Sequence, residues 1–187
     1  RGHTATLDEA RGRILVFAGQ GYHELGDDLY AFDYVNSAVS RITPAGVGPS
    51  ARQNHVAVLD TVRDRLIVFG GRGYHDLFDD VYALDLAGVS PTWSRLTPSG
   101  VAPLPREGHV AVFDAAENRM IAFSGEGYYE PYADTWELNF SASEDGTWRA
   151  LVPAGIAPEP RTEAAVAFDA ATGRMFVGGG LGFHEVH

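Results

Sequence analysis

The chain has 187 residues, of which 45% are hydrophobic, and its formal net charge is −11. This length allows one domain with a substantial core, and the negative charge argues against binding to nucleic acid or to an anionic membrane surface. No run of about 18 apolar residues is present that could insert into a bilayer. The lack of cysteine excludes disulfides and thiol catalysis, and it suits export as well as the cytosol.

One pattern is repeated along the chain with a period of 52 to 55 residues. Each copy begins with a segment such as HVAVLD, continues with RLIVFGG and GYHDLFDDVYALD, and ends with a linker such as SRLTPSGVAPLPR. The copies occupy about residues 1–51, 52–105, 106–160 and 161–187, and the last is incomplete. A fixed period of this length predicts a repeat architecture.

Each copy is predicted to form four short strands. In the second copy, residues 55–60 alternate in polarity, which is typical of a strand, and the apolar run 65–71 ends on glycine, as in a strand buried on both faces. The short polar turn between them predicts a hairpin. Residues 81–86 alternate again, and the fourth strand begins near Trp93. Four antiparallel strands in about 50 residues indicate one propeller blade.

The spaced features together resemble the kelch repeat: R-x-x-H-x-A in the first strand, D-x-Y-x-L-D in the third and the linker G-x-x-P-x-x-R. This resemblance covers essentially the whole chain and implies an all-β, kelch-type β-propeller, here a partial ring of about 3.5 four-stranded antiparallel blades. Propellers usually close with 4–8 blades, and a partial ring leaves sheet edges bare. We therefore expect a longer propeller, whose remaining blades come from a longer parent chain or from other subunits. The turns are similar to those of bacterial kelch proteins, many of them exported, which favours an extracytoplasmic location.

Three repeated features have a structural interpretation. The glycine after the second strand is expected to supply a positive φ in every copy, at Gly19, Gly71, Gly125 and Gly179. The aspartate before the third strand is expected to accept backbone N–H bonds from its own turn, at Asp28, Asp80 and Asp134. His55 and His109 are expected to be hydrogen-bonded core or inter-blade residues.

The candidate binding residues lie where the loop between strands two and three and the linker to the next blade open on one face. Alternating imidazole, carboxylate and guanidinium groups there could bind a polar peptide or a sugar acid, and the tyrosines of the third copy depart from the repeat, as at many binding surfaces. Alternatively, the repeated arginines and aspartates pair between adjacent loops and serve the fold alone. The predicted ligand- or partner-binding residues are His23, Glu24, Arg52, His75, Asp76, Arg106, Tyr128, Tyr129, Glu130, Tyr132, Arg161 and His184.

A non-catalytic module that binds a protein or peptide on this face is the favoured function. The alternative is a kelch-fold enzyme of the sugar-acid mutarotase type that uses Arg, Glu and His on the same face. The chain has no cysteine for the cross-linked tyrosine of the copper-radical oxidases, and Phe32 stands where the iron motif of the plant specifier proteins needs His. The GYH histidines lie on separate blades without paired spacing. We therefore expect no catalytic residue, no metal and no cofactor.

Overall fold

The computed structural model of the chain describes residues 1–182, which form mainly antiparallel sheets and one short 3-10 helix, Glu9–Arg11. The first sheet consists of β1 (Thr4–Asp8), β2 (Arg13–Gln20), β3 (Leu25–Asp33) and β4 (Ala38–Ile42). After a two-residue strand, β5 (Ala45–Gly46), the second sheet consists of β6 (Val56–Asp60), β7 (Arg65–Phe69), β8 (Val81–Asp85) and β9 (Thr92–Leu96). No helix among the described residues is long and apolar enough to cross a membrane.

The third sheet repeats the second. It follows another two-residue strand, β10 (Ser99–Gly100), and consists of β11 (Val110–Asp114), β12 (Arg119–Phe123), β13 (Thr135–Asn139) and β14 (Thr147–Leu151). The fourth copy has β15 (Arg161–Thr162), β16 (Ala165–Asp169), β17 (Arg174–Gly178) and β18 (Leu181–Gly182), with β16 paired to β17 and β15 to β18. In the first three sheets the four strands pair antiparallel in chain order, as the sequence predicted.

The sheets are arranged radially, with their first strands side by side. β1 contacts β6, β6 contacts β11 and β11 contacts β16, so these strands lie around a common axis, and the fourth strands β4, β9 and β14 lie farther out. The glycine after each second strand has a positive φ, between +67° and +98° in the four copies, as predicted. The molecule is therefore a partial β-propeller with blades of four antiparallel strands.

The linkers add a strand that the sequence analysis did not predict. β5 pairs parallel with β9, with Gly46 opposite Trp93, and β10 pairs in the same way with β14. Gly46 has a φ of +80°, and any Cβ at this position would collide with the carbonyl oxygen of Trp93. The linker glycine is therefore needed for close backbone approach, and each linker covers the outer edge of the next blade.

Apolar side chains fill the spaces between neighbouring sheets. Leu15, Phe17 and Leu29 of the first sheet pack against Leu66, Val68, Leu84 and Trp93 of the second. Ile67 and Phe69, on the other face of β7, pack against the third sheet. All five residues of β7 are buried because alternate side chains face the two neighbouring sheets, which explains the continuous apolar run.

Candidate partner-binding face

The loops between the second and third strands are tight turns that present their third residue at the tip. In the three complete blades the amide of Gly21, Gly73 or Gly127 donates to the carbonyl oxygen three residues later, at 2.8 to 2.9 Å. His23, His75 and Tyr129 lie at the tips and are exposed, as are Glu24, Asp76 and Glu130 next to them. We call the surface formed by residues 21–24, 70–80 and 124–134 and the linker ends 52–55, 106–109 and 161–164 the loop face.

Tyr74 and Tyr128, which precede the second and third tip residues, connect adjacent loops. The backbone amide of Leu25 donates to the hydroxyl of Tyr74 at 2.9 Å, and the amide of Leu77 donates to the hydroxyl of Tyr128 at 2.8 Å. Each tyrosine accepts from the loop of the preceding blade, so the second residue of the GYH phrase serves the scaffold. Tyr128 has this role although the residue as a whole is 54% exposed.

Replacing Tyr128 by phenylalanine is expected to lower the free energy of unfolding by about 1 kcal/mol, because the Leu77 amide loses its acceptor. Hydrogen exchange should show faster exchange at Leu77, and urea denaturation gives the free energy. Tyr129→Phe is the matched control, since Tyr129 is fully exposed and should tolerate the change. An equal loss of stability in both variants would contradict the role of the hydroxyl.

The linker arginines Arg52 and Arg106, predicted as binding residues, are fully buried. Arg52 donates to both carboxylate oxygens of Asp80, at 2.6 and 3.1 Å, and to the carbonyl oxygen of Gly70 at 2.9 Å. Arg106 makes the corresponding bonds to Asp134. Both guanidinium groups are inaccessible from the surface, because each is enclosed by the carboxylate and carbonyl groups of the blade that follows its linker. The repeated Arg and Asp residues therefore pair within the fold.

These ion pairs also correct the predictions for the aspartates before the third strands and for Tyr132. Asp80 and Asp134 hold arginine side chains, whereas backbone bonds from their own turn were expected. Burial alone would raise the pKa of Asp134, but the bonds from Arg106 and Trp136 outweigh it, so this pKa lies below its ordinary value. Tyr132, predicted as a binding residue, is half-buried, and its ring stacks on the Arg106 guanidinium with the carbon 4.6 Å from the ring centre.

The fourth copy contributes less to the loop face. Arg161 is half-buried and donates to the carbonyl oxygens of Gly179 and Glu159, at 3.0 and 3.2 Å. His184 lies outside the described residues. The predicted residues that remain on the described surface are therefore His23, Glu24, His75, Asp76, Tyr128, Tyr129 and Glu130.

His55 and His109 are buried between blades at the start of their first strands. Nε2 of His55 lies 3.0 Å from the hydroxyl of Thr4 in the preceding blade. Val56 is the residue equivalent to Thr4 in the blade that precedes His109, and its side chain has no hydroxyl. His109 lies between blades, as predicted, although neither of its ring nitrogens has a hydrogen-bond partner among the described residues. Burial, reinforced by the neighbouring arginine charge, lowers the pKa of each imidazole to about 3.

Around the axis, the loop face is closed by a ring of backbone hydrogen bonds. The amide of Asn54 donates to Gly2, that of Gly108 to Asn54 and that of Glu163 to Gly108, at 2.8 to 2.9 Å. All four residues have a positive φ, between +54° and +68°. A cavity of about 240 Å³ opens beside this ring, and its lining includes His3, Asn54, His55, His109 and Glu163.

Three carboxylates that sequence reasoning missed lie near this ring, those of Glu107, Glu126 and Glu163, and the last of them lines the cavity. Glu107 is buried and bonded to Arg72 and to the Asn54 amide, the latter at 2.9 Å. Burial raises the pKa of Glu126, and the charges of Glu107 and Glu163 raise it further. Variation between the copies could have indicated this region in the sequence. Gln20, Arg72 and Glu126 occupy equivalent positions, each directly after the repeated glycine, yet they differ in charge.

A cavity of about 560 Å³ lies on the uncovered side of the first sheet. Its lining includes Arg1, His3, Glu24 and Arg41. In the second sheet this side is covered by the preceding blade, where Phe17 contacts His55 and Trp93 at ring-centre distances of 5.3 Å. The cavity is therefore the open side of a blade. Within residues 1–182 no group of three or more His, Asp or Glu side chains is arranged to hold a metal ion.

Radial blades of four antiparallel strands, with loops and linkers opening on one face, define a β-propeller domain of repeated blades. The chain belongs to the kelch-repeat family: the KLHDC2/KLHL20/DRC7 kelch-repeats domain model matches residues 1–187. This agrees with the resemblance drawn from the repeated motifs.

Curated relatives match parts of the chain. Serine/threonine-protein phosphatase BSL2 of Arabidopsis thaliana is 34% identical over 134 residues, covering 71% of this chain and 13% of that protein. Dynein regulatory complex subunit 7 of Chlamydomonas reinhardtii is 35% identical over 127 residues, or 66% and 10% of the two chains. Host cell factor 1 of Rattus norvegicus is 38% identical over 84 residues, or 43% and 4%. The chain thus corresponds to a small part of each relative.

Proposed function

We propose that this kelch domain is a protein-interaction module that binds an extended segment of a partner protein on its loop face. The observation that carries the proposal is the third loop, where Tyr129 is fully exposed beside the half-exposed Tyr128 and the exposed Glu130. The other two complete blades have histidine at the tip. Large aromatic side chains on an otherwise polar surface supply much of the binding energy in protein interfaces.

The relatives support a role that does not depend on one chemistry. One of them is named as a phosphatase and another as a subunit of a dynein regulatory complex, and what they share with this chain is the matched segment. A fold that occurs in proteins with such different names is better suited to binding partners than to catalysing one particular reaction. The burial of Arg52 and Arg106 also removes two of the side chains on which the sugar-acid mutarotase alternative depended.

A selection of random dodecapeptides on the full chain tests this proposal. We expect binders whose affinity falls at least tenfold when Tyr129 is replaced by serine, because the exposed ring would be lost from the interface. Val89→Ser is the matched control, since Val89 is also fully exposed but lies between β8 and β9, at the opposite end of the blade. Failure to recover peptides that depend on the loop face would contradict the proposal.

We also propose that a further blade, from a longer parent chain or another subunit, packs against the uncovered side of the first sheet. Ile14, Val16, Tyr30 and Phe32 line that side, with Ile14 opposite Phe32 and Val16 opposite Tyr30. The corresponding Leu66 and Val68 of the second sheet are fully buried by the preceding blade, whereas Phe32 is 37% and Tyr30 is 39% exposed. A sheet face of this composition normally packs against a neighbour.

A further inference from the structure

We infer that the uncovered side of the first blade binds a linker segment of a neighbouring blade, in which a glycine precedes an arginine by six positions. The glycine lies against the outer strand β4, and the guanidinium binds the carboxylate of Asp28 and the carbonyl oxygen of Ala18. We call these two acceptors the first-blade arginine site. The inference rests on the proposed packing of a further blade against the first sheet, and it names the chemistry of the segment that binds there.

The first-blade arginine site has the pattern of sites that are occupied in the other blades. There the linker arginine donates to the carbonyl oxygen that follows the second strand, at 2.9 to 3.0 Å, in the pairs Arg52–Gly70, Arg106–Ser124 and Arg161–Gly179. Ala18 has the corresponding place, with a φ of +57° beside +64° at Gly70. Asp28 follows Ala18 by ten positions, as Asp80 follows Gly70. The two acceptors of an arginine site are therefore present in the first blade.

Arg41 occupies only part of this site. It lies on β4 opposite Tyr30 and bonds to one carboxylate oxygen of Asp28, with 63% of its side chain exposed. In the second blade Arg95 has the corresponding place opposite Tyr82, yet Asp80 is bound through both oxygens by the buried Arg52. A guanidinium that binds both carboxylate oxygens is held more strongly than one that binds a single oxygen. A linker arginine therefore displaces Arg41 from Asp28.

The backbone of Arg1 has the position of a linker end. Arg1 and Gln20 exchange backbone hydrogen bonds at 2.7 and 2.8 Å, as Gln53 and Arg72 do at 2.8 and 2.9 Å. Arg52 directly precedes Gln53. A residue placed directly before Arg1 therefore lies where Arg52 lies in the second blade, next to the first-blade arginine site.

The outer edge of the first blade suits the glycine of such a segment. In the second blade β5 of the preceding linker pairs parallel with β9, with Gly46 opposite Trp93. In the first sheet β4 is the last strand, its first four residues are exposed, and Val39 has the place of Trp93. Gly46 precedes Arg52 by six positions, and the other two linkers have the same spacing. A segment with this spacing therefore reaches β4 and Asp28 together.

The cavity of about 560 Å³ at this side gives the arginine room to enter, and both acceptors line it. Phe78 and Tyr132 stack on their linker arginines at 4.2 and 4.6 Å, but Gly26 has their place in the first blade. The site is thus wider than its counterparts and needs no ring to move. A planar guanidinium can donate to the carboxylate and to the carbonyl group at once, whereas an ammonium group lacks this fork geometry, so arginine is preferred to lysine.

The test extends the full chain by nine residues placed directly before Arg1, with the linker sequence PAGVGPSAR of residues 44–52. We expect the extension to raise the midpoint of thermal unfolding by about 4 °C, and by less than about 1 °C when its arginine is replaced by glutamine or its first glycine by valine. NMR of the extended chain should show slow hydrogen exchange at the Nε–H of the added arginine. Asp28→Asn should abolish the gain, whereas the matched control Asp27→Asn, which removes the same charge at the neighbouring exposed position, should keep it.

The failures of the separate proposals are distinguishable. No gain from the extension, an equal gain with glutamine in place of its arginine, or a gain that survives Asp28→Asn would overturn the first-blade arginine site. An equal loss in Asp27→Asn and Asp28→Asn would mean that only net charge matters, which also overturns it. The further blade would be refuted separately if Tyr30 reacted with iodine as readily in the parent protein as in the chain of 187 residues. The loop-face function is decided by the peptide selection, which does not involve this side of the first sheet.

Discussion

Replacing Arg52 by methionine is expected to lower the free energy of unfolding by about 3–5 kcal/mol. The guanidinium is fully buried and bonded to Asp80, whose side chain is 14% exposed, and to the Gly70 carbonyl. It also lies 4.2 Å from the ring centre of Phe78. The variant leaves a largely buried carboxylate without its partner, and that penalty accounts for most of the expected loss.

Urea denaturation of the full chain measures this loss, and Arg41→Met is the matched control. Arg41 forms a salt bridge with Asp28 in the first blade, but the two side chains are 63% and 41% exposed. Its removal should cost less than about 1 kcal/mol, because water screens an exposed pair. The double variant Arg52→Met/Asp80→Asn should recover part of the loss. A cost for Arg52→Met as small as for Arg41→Met would refute the structural role of the buried arginine.

The free energy of unfolding is expected to fall by roughly 5 kcal/mol between pH 7.5 and pH 4.5 because of His55 and His109. In the folded state burial lowers the pKa of each imidazole to about 3, whereas an exposed imidazole in the unfolded chain titrates near 6.5. Above pH 6.5 both states hold the rings neutral, and the stability is fully present. As the pH falls below 6.5, only the unfolded chain binds the protons, so each histidine costs about 1.4 kcal/mol for each pH unit.

Denaturation curves at several pH values test this dependence. His109→Leu should remove about half of the decline, since one of the two buried titrating groups is gone. His23→Gln should leave it unchanged, because His23 is exposed at a loop tip. A flat profile between pH 6.5 and 4.5, or an unchanged slope in His109→Leu, would contradict the burial of neutral imidazoles.

The sequence by itself determined the blades. Alternation of polarity, the glycine that ends each second strand and the polar hairpin turns act within a few residues, and the repetition of the pattern makes each local signal recur in register. These features predicted the antiparallel order of the strands and the burial of β7 on both faces. They also assigned His23 and His75 to the loops between the second and third strands, although the tight turns that place these residues at the tips were seen only in the structure.

Tertiary structure alone decided which polar residues remain free to bind. Arg52 is 28 positions from its carboxylate Asp80, and Tyr74 accepts from an amide 49 positions away, so neither role can be read from neighbouring residues. The residues that close the ring of backbone bonds at the axis, Asn54, Gly108 and Glu163, likewise come from different repeats and meet only where the first strands surround that axis. Local interactions specify how each blade folds, whereas burial and charge at the loop face depend on how the blades pack against each other.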